Sequence, residues 1–352
     1  MFFQHYNEFE GIIVMKYIQT VTGKIPVAQM GKVTTHEHIF IKHGRFNKEE
    51  AAKSGNEWMA EKVSLENRGK IMYNLHLNRD NTILDDEDLM AQEVLEFKKY
   101  GGDTIVDVSC YGLGYDIKRL KHFSERTGVN IIASTGIYTM EYMPERFIEM
   151  SEGELTELFI QELTEGVDGT DIKAGCIGEI GVNCEENQLK YLLAAAKAQK
   201  TTGAALIFHK CSLEHLDILD SVGVDMSKVI VGHRDEPRND GTKLTDFLDR
   251  GVNIALDRFG LDTTLLYKKS FPNDAERINT IRFLFDKGYQ NQIVIGHDIC
   301  FKVQLKKYGG FGYSHFFENV SRVMCNNGFV QEEIDILTVK NPARIFTLND
   351  EP

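Results

Sequence analysis

Along the chain, short apolar runs rich in β-branched residues alternate with longer stretches whose apolar residues recur at helical spacing. The strand-type runs are Val33–His38, Thr104–Ser109, Asn130–Thr135, Gly175–Ile180, Ala205–His209, Val229–His233, Asn253–Asp257 and Gln292–Asp298. Between them, Asp86–Tyr100 places apolar residues at 89, 90, 94, 95 and 97. Asn187–Gly203 is rich in helix formers and closes on a glycine suited to a helix C-cap. Leu213–Val222, Lys243–Arg250 and Asp274–Gly288 continue the series, and Gln331–Thr338 leads into a closing NPARIF.

Strands that alternate with helices pair in parallel through crossovers. Eight such units predict an α/β fold, a closed (β/α)8 TIM barrel, rather than an open sheet. Ile39–Asp85 breaks the rhythm and is expected to form a long loop or helical insertion after the first strand. No linker composition or internal repeat divides the chain, so residues 15–352 are expected to form one domain. Residues 1–14 are expected to be an extension, because MKYIQTVTGKIP from Met15 reads as a natural domain opening.

Composition narrows the function. The 352 residues are 42% hydrophobic and 26% charged, enough for one large core. A net charge of −13 argues against nucleic-acid and anionic-membrane surfaces, yet leaves a small anionic substrate open. No basic segment precedes the apolar start, and no run of about 18 apolar residues occurs, so neither a signal peptide nor a membrane span is expected. Cysteines at 110, 176, 184, 211, 300 and 325 form no C-x-x-C pair. They point to reduced thiols and a cytoplasmic protein.

In such a barrel, catalytic groups come from the C-terminal strand ends. The first run ends in His36-Glu37-His38; residues two apart share a strand face, so both imidazoles can enter the barrel mouth while Glu37 points away. The fourth run carries Glu179 between glycines, the fifth ends in His209 and the sixth in His233. The eighth ends in His297-Asp298, of which alternation lets one face the centre; Asp298 is assigned that place.

Singly, each residue has a plainer reading: a hydrogen-bonded core histidine, a solvated glutamate, a helix cap. Together, four of eleven histidines and two carboxylates collect at strand ends. Such donors suit Zn²⁺ first, with Mn²⁺, Co²⁺ and Fe²⁺ also accommodated. Six ligands are too many for one tetrahedral ion and suit two ions sharing a carboxylate and a hydroxide.

Taken in order, TVTGKIP with TTHEH, TGIY, KAGCIGEIG, FHK, VGH, LDRFGLD, IGHDI with KYGGFGYSH, and NPARIF fall between Ile18 and Phe346, essentially the whole chain. This ordered set resembles the phosphotriesterase-related family of the amidohydrolase superfamily, with its phosphotriesterase-like lactonases and phosphotriesterase homology proteins. The resemblance implies that His36, His38 and Asp298 hold the more buried ion and His209 and His233 the more exposed one. It implies Glu179 as the bridge, in place of the carboxylated lysine of many members; Lys173 sits too low on the strand to serve. It further implies a bridging hydroxide as nucleophile, with Asp298 as base, and a homodimer.

Tyr138 and Arg258 resemble residues of the lactone-hydrolysing members, Tyr138 beside the exposed ion and Arg258 orienting substrate or relaying a proton with Asp235 or Glu236. Their plainer readings are a packed ring and an arginine paired with a nearby acid such as Asp257 or Asp262. Lys268, Lys269 and Lys302 follow strands seven and eight and are candidate contacts for a phosphorylated substrate.

The expected reaction is hydrolysis of a lactone or carboxylic ester, including a phosphorylated sugar lactone. Hydrolysis of an N-acyl amide, or of a phosphotriester, is the alternative, since KYGGFGYSH and the glutamate bridge resemble amide-hydrolysing relatives. Two rivals of other kinds are a metal-containing binding protein, disfavoured by the retained Asp298, and a Schiff-base aldolase. The aldolase needs an inward lysine, and Lys210 is expected to point away from the centre.

Overall fold

The computed structural model describes residues 16–42, 57–209, 211–235, 243–261, 265–266, 269–349, with backbone alone for 265–266 and 269–270. Residues 1–14, Lys210, Glu236 and Lys268 lie outside the described residues, as does the Lys269 side chain.

Eight strands form one sheet, numbered here along the chain: β1 (Val33–Glu37), β2 (Thr104–Asp107), β3 (Asn130–Thr135), β4 (Cys176–Ile180), β5 (Ala205–Phe208), β6 (Val229–Val231), β7 (Asn253–Leu256) and β8 (Ile293–Ile295). Neighbours in space are neighbours in sequence, and each ladder is parallel. The seam between β8 and β1 is drawn together by Thr35 Oγ1 donating to Ile295 O at 2.9 Å and Asp298 N donating to His36 O at 3.1 Å. The predicted TIM barrel is the observed fold.

Each crossover carries a helix: α1 (Glu87–Lys99), α2 (Ile117–Thr127), α3 (Glu152–Thr164), α4 (Glu186–Thr202), α5 (Leu213–Val222), α6 (Leu244–Leu248) and α7 (Asp274–Asp286). In α4, four buried alanines at 194, 195, 196 and 198 let the helix lie close to the sheet, and Gly203 at φ 67° ends it in the left-handed cap. Helices α2 and α3 were not anticipated. Only Ile117, Leu120 and Phe123 give α2 an apolar stripe in a run otherwise dominated by charge, and Gly153 weakens the opening of α3.

The insertion after β1 contains a helix, Leu65–Met72, and a two-residue strand Ile83–Leu84 paired antiparallel with Ile41–Lys42. At the chain's end, Gln331–Asp335 passes through a widened helical turn into a helix over Asn341–Phe346, so NPARIF is itself helical.

Two apolar layers hold the barrel. The outward strand faces pack against the helices, while Val106, Ile132, Cys176, Ala205, Ile207, Ile230, Ala255 and Val294 fill the interior. Ile18, Met30, Ile345 and Phe346 join that interior cluster from outside the barrel strands and close its N-terminal end. Ile18 belongs to a hairpin, Lys16–Thr20 with Gly23–Pro26, that pairs with Leu348–Asn349. The plugged bottom leaves the C-terminal end as the open mouth. The ladders also stop short of the predicted ends, leaving His38, His209, His233, Asp257 and Asp298 just beyond regular pairing. No helix among the described residues is long and apolar enough to cross a membrane.

Candidate metal centre

Six side chains converge in the barrel mouth. Regular alternation accounts for His209, two residues beyond interior Ile207; Asp298 keeps the inward count, four beyond interior Val294, but stands past the end of β8 with φ 50°. The other strands break the rule. His36, Glu179 and His233 each stand three residues beyond an interior residue (Val33, Cys176 and Ile230), an offset that would turn them outward on a regular strand. The register slips between Thr34 and Glu37 on β1, and between Ile177 and Ile180 on β4, while His233 takes φ 55°. These local departures bring the three side chains inward.

Glycines make the room. A Cβ at Gly178 would sit 2.1 Å from Ile207 O, and one at Gly232 2.5 Å from Phe208 O.

Glu179 is the hub. Its Oε2 lies 2.9 Å from His209 Nδ1, 3.3 Å from His36 Nε2 and 3.6 Å from His233 Nε2, and its Oε1 lies 3.4 Å from His38 Nε2. Asp298 Oδ1 lies 3.5 Å from His38 Nε2 and 4.0 Å from His36 Nε2. Two groups have donor atoms mutually within 4.8 Å: His36, His38 and Asp298, and His36, Glu179 and His233. His209 borders the second group, its Nδ1 2.9 Å from His233 Nε2. Its side chain is 17% exposed against 1% for His36, so the half containing His209 is the more open.

The residues fit divalent ions. His36 Nε2 is buried without completing a directional hydrogen bond. Such an orphan is costly unless another partner satisfies it. Four imidazoles packed nitrogen-first around carboxylates form a donor set for borderline cations.

The electrostatics show how tightly the cluster is coupled. Burial works against charge on His36 and His38, but Asp257 and Glu179 outweigh it for His36, and Asp298 and Glu179 raise His38 to about 9. His209 is different: burial dominates and lowers it to about 4 despite Glu179. Burial raises Glu179 and Asp298, yet the surrounding histidines hold both below the usual carboxylate range, His209 and His36 acting on Glu179 and His233, His38 and His36 on Asp298.

A seventh residue was missed as part of this centre. Asp257, at the end of β7, places Oδ1 2.9 Å from His233 Nδ1 and Oδ2 2.9 Å from His36 Nδ1. In the sequence Asp257 reads as a partner for Arg258, and its place at the end of a strand is the signal that points to the centre. Ser109 Oγ, 2.9 Å from His38 Nδ1, orients a third imidazole.

Tyr138 stands at the open half, its hydroxyl 3.5 Å from His209 Nε2. Arg258 is buried, with Nε 3.5 Å from Asp298 Oδ2. A guanidinium cannot give up its proton in a protein, so Arg258 is unsuited to the proton relay considered for it. Asp235 is likewise committed: its Oδ2 accepts from Arg277 Nε at 2.6 Å and from Arg258 N at 3.2 Å. Lys302 is buried with its ammonium 2.9 Å from Asp80 of the insertion, so it ties two loops together instead of awaiting a phosphate. Lys173 lines a surface hollow beside the N-terminal hairpin, at the closed end of the barrel.

This geometry coincides with strong similarity to known proteins. Residues 16–346 match the model of the phosphotriesterase family. The chain belongs to the phosphotriesterase family. It is a metal-dependent hydrolase on that family's barrel. It is 36% identical to a phosphotriesterase-related protein of Nematostella vectensis, over 94% of this chain and 98% of that one. It is 34% identical to an N-acetyltaurine hydrolase of Xenopus tropicalis, over 94% and 97%. Among solved structures, a resiniferatoxin-binding protein from Rhodobacter sphaeroides superposes with a TM-score of 0.87 at 30% identity, covering 94% of each chain.

Proposed function

We propose that this phosphotriesterase-family member hydrolyses the amide bond of a small N-acyl compound, using two divalent ions, Zn²⁺ first among them. The observation that carries the metal chemistry is the contact of Glu179 with all four imidazoles. The substrate class rests on 34% identity to an N-acetyltaurine hydrolase across nearly the whole of both chains. That similarity reverses the order expected from sequence, where lactone or ester hydrolysis stood first.

In this reading His36, His38 and Asp298 would hold one ion and His209 and His233 the other, with Glu179 a further ligand between them. The ions supply Lewis acidity and an activated water near neutral pH. Asp298 takes the proton of the attacking water and delivers it to the departing nitrogen. Arg258, permanently charged beside Asp298, keeps that carboxylate ionised between turnovers and offers a cation to an anionic substrate tail. Tyr138 marks the side from which the acyl group enters.

Lactone hydrolysis is the second reading, favoured by Tyr138 lying against His209. A substrate panel separates the two: N-acetylated amino sulfonates and amino acids, γ-lactones, phosphorylated sugar lactones and aryl phosphotriesters, each with added Zn²⁺ or Mn²⁺. Amide turnover with kcat/KM at least about tenfold above any lactone is expected, and the reverse ranking refutes the amide assignment. Asp298→Asn should lower kcat by about 100-fold or more with most metal retained.

A further inference from the structure

We infer that Glu37, the middle residue of the His-Glu-His run, is the positioning residue that sets Asp298 in place before any ion binds. The inference rests on the reading of Asp298 as ligand and base.

Glu37 points away from the cluster of six and is fully buried. Its Oε1 accepts from Thr34 Oγ1 at 2.5 Å and from His297 N at 2.9 Å. Its Oε2 accepts from Ile299 N at 3.3 Å. The two peptide N–H groups that flank Asp298 therefore end on one carboxylate, and the N–H between them ends on His36 O at 3.1 Å. The His297 ring adds a further tie. Its Nε2 accepts from Phe316 N at 3.1 Å, which places the ring proton on Nδ1, 2.6 Å from Glu37 Oε1.

Asp298 needs this restraint. Its φ of 50° lies in the left-handed region, unfavourable for a residue with a Cβ, and only surrounding structure maintains it. Gln304 Nε2 holds the Asp298 carbonyl at 2.9 Å from the other side. Released from Glu37, residues 297–299 would relax toward ordinary backbone angles and swing the Asp298 carboxylate away from His36 and His38. Glu37 thus couples the strand bearing two histidines to the loop bearing the base.

The test is Glu37→Gln in the full chain. The amide keeps the side chain's volume and one acceptor oxygen but sets its NH₂ group against the Ile299 N–H. In the metal-free protein, hydrogen exchange at Ile299 should quicken by about tenfold or more. With metal, kcat should fall about 10- to 100-fold while KM stays within about twofold. Unchanged exchange together with unchanged kcat overturns the inference. So does lower thermal stability with full kcat per folded molecule, which would make Glu37 a seam fastener only. If the variant does not fold, the metal-free parent decides: amides of residues 297–299 must exchange slowly, and exchange as fast as in exposed loops overturns the proposal. A parent that turns over nothing on the panel refutes the proposed function, and the exchange measurement still reads Glu37 independently.

Discussion

His233 Nδ1 lies 2.9 Å from Asp257 Oδ1, and the same carboxylate accepts the His233 backbone N–H at 3.0 Å. The other oxygen lies 2.9 Å from His36 Nδ1. One carboxylate therefore stands behind two imidazoles and leaves both Nε2 atoms facing the centre, as partners of metal-bound histidines commonly do.

Asp257→Asn keeps the shape but replaces one acceptor oxygen with a donor. Metal affinity should fall by about 10- to 100-fold, with kcat largely recovered at saturating Zn²⁺. Competition against a graded series of chelators measures this. Retention equal to that of the parent would show that Asp257 does not orient these ligands.

Metal uptake should expel protons. Burial opposes charge on His36 and His38, but neighbouring carboxylates outweigh it, raising His38 to about 9 and His36 well above its ordinary value. A raised pKa means that the metal-free imidazole is protonated at pH 7, so an entering ion competes with protons. Apparent affinity should rise with pH, by about tenfold per unit for each proton displaced, and level off above about pH 9. Calorimetry in buffers of different ionisation heat counts the protons; release of none at pH 7 contradicts the expectation.

A buried carboxyl remote from the six ligands should shape stability. Glu162, on α3, accepts from the hydroxyls of Tyr111 and Thr135, and burial pushes it up from 4.5 to about 7. Because the folded pKa is the higher one, its stabilising contribution is complete below about pH 4.5 and is lost as pH rises to about 7. Glu162→Gln, neutral at every pH, should exceed the parent in stability by about 3 kcal/mol at pH 8 and match it near pH 4.5. Urea unfolding at the two pH values checks this, and a difference independent of pH would exclude ionisation as its cause.

The barrel was legible because its signal is local. Each β-branched run, followed by an amphipathic stretch, states its own element and its own face. Helices α2 and α3 escaped because a polar run with three apolar anchors, and a helix with glycine in its first turn, carry weak local signals; docking on the sheet supplies what propensity lacks. Lys302 misled for the opposite reason. A loop lysine after a strand says nothing of Asp80, 222 residues away, until the insertion folds over it.

By itself, the sequence determined the donor types, their order and the strand that each one closes, since two-residue periodicity and strand length are properties of neighbouring residues. Tertiary structure decided which of those donors face inward. On regular strands His36, Glu179 and His233 would turn outward; slipped register on β1 and β4, and a left-handed turn at His233, reverse them. It also decided the supports, because Asp257 meets His36 and Glu37 meets His297 only when β8 closes against β1. Contacts across 260 residues arise from barrel closure, which no local pattern encodes.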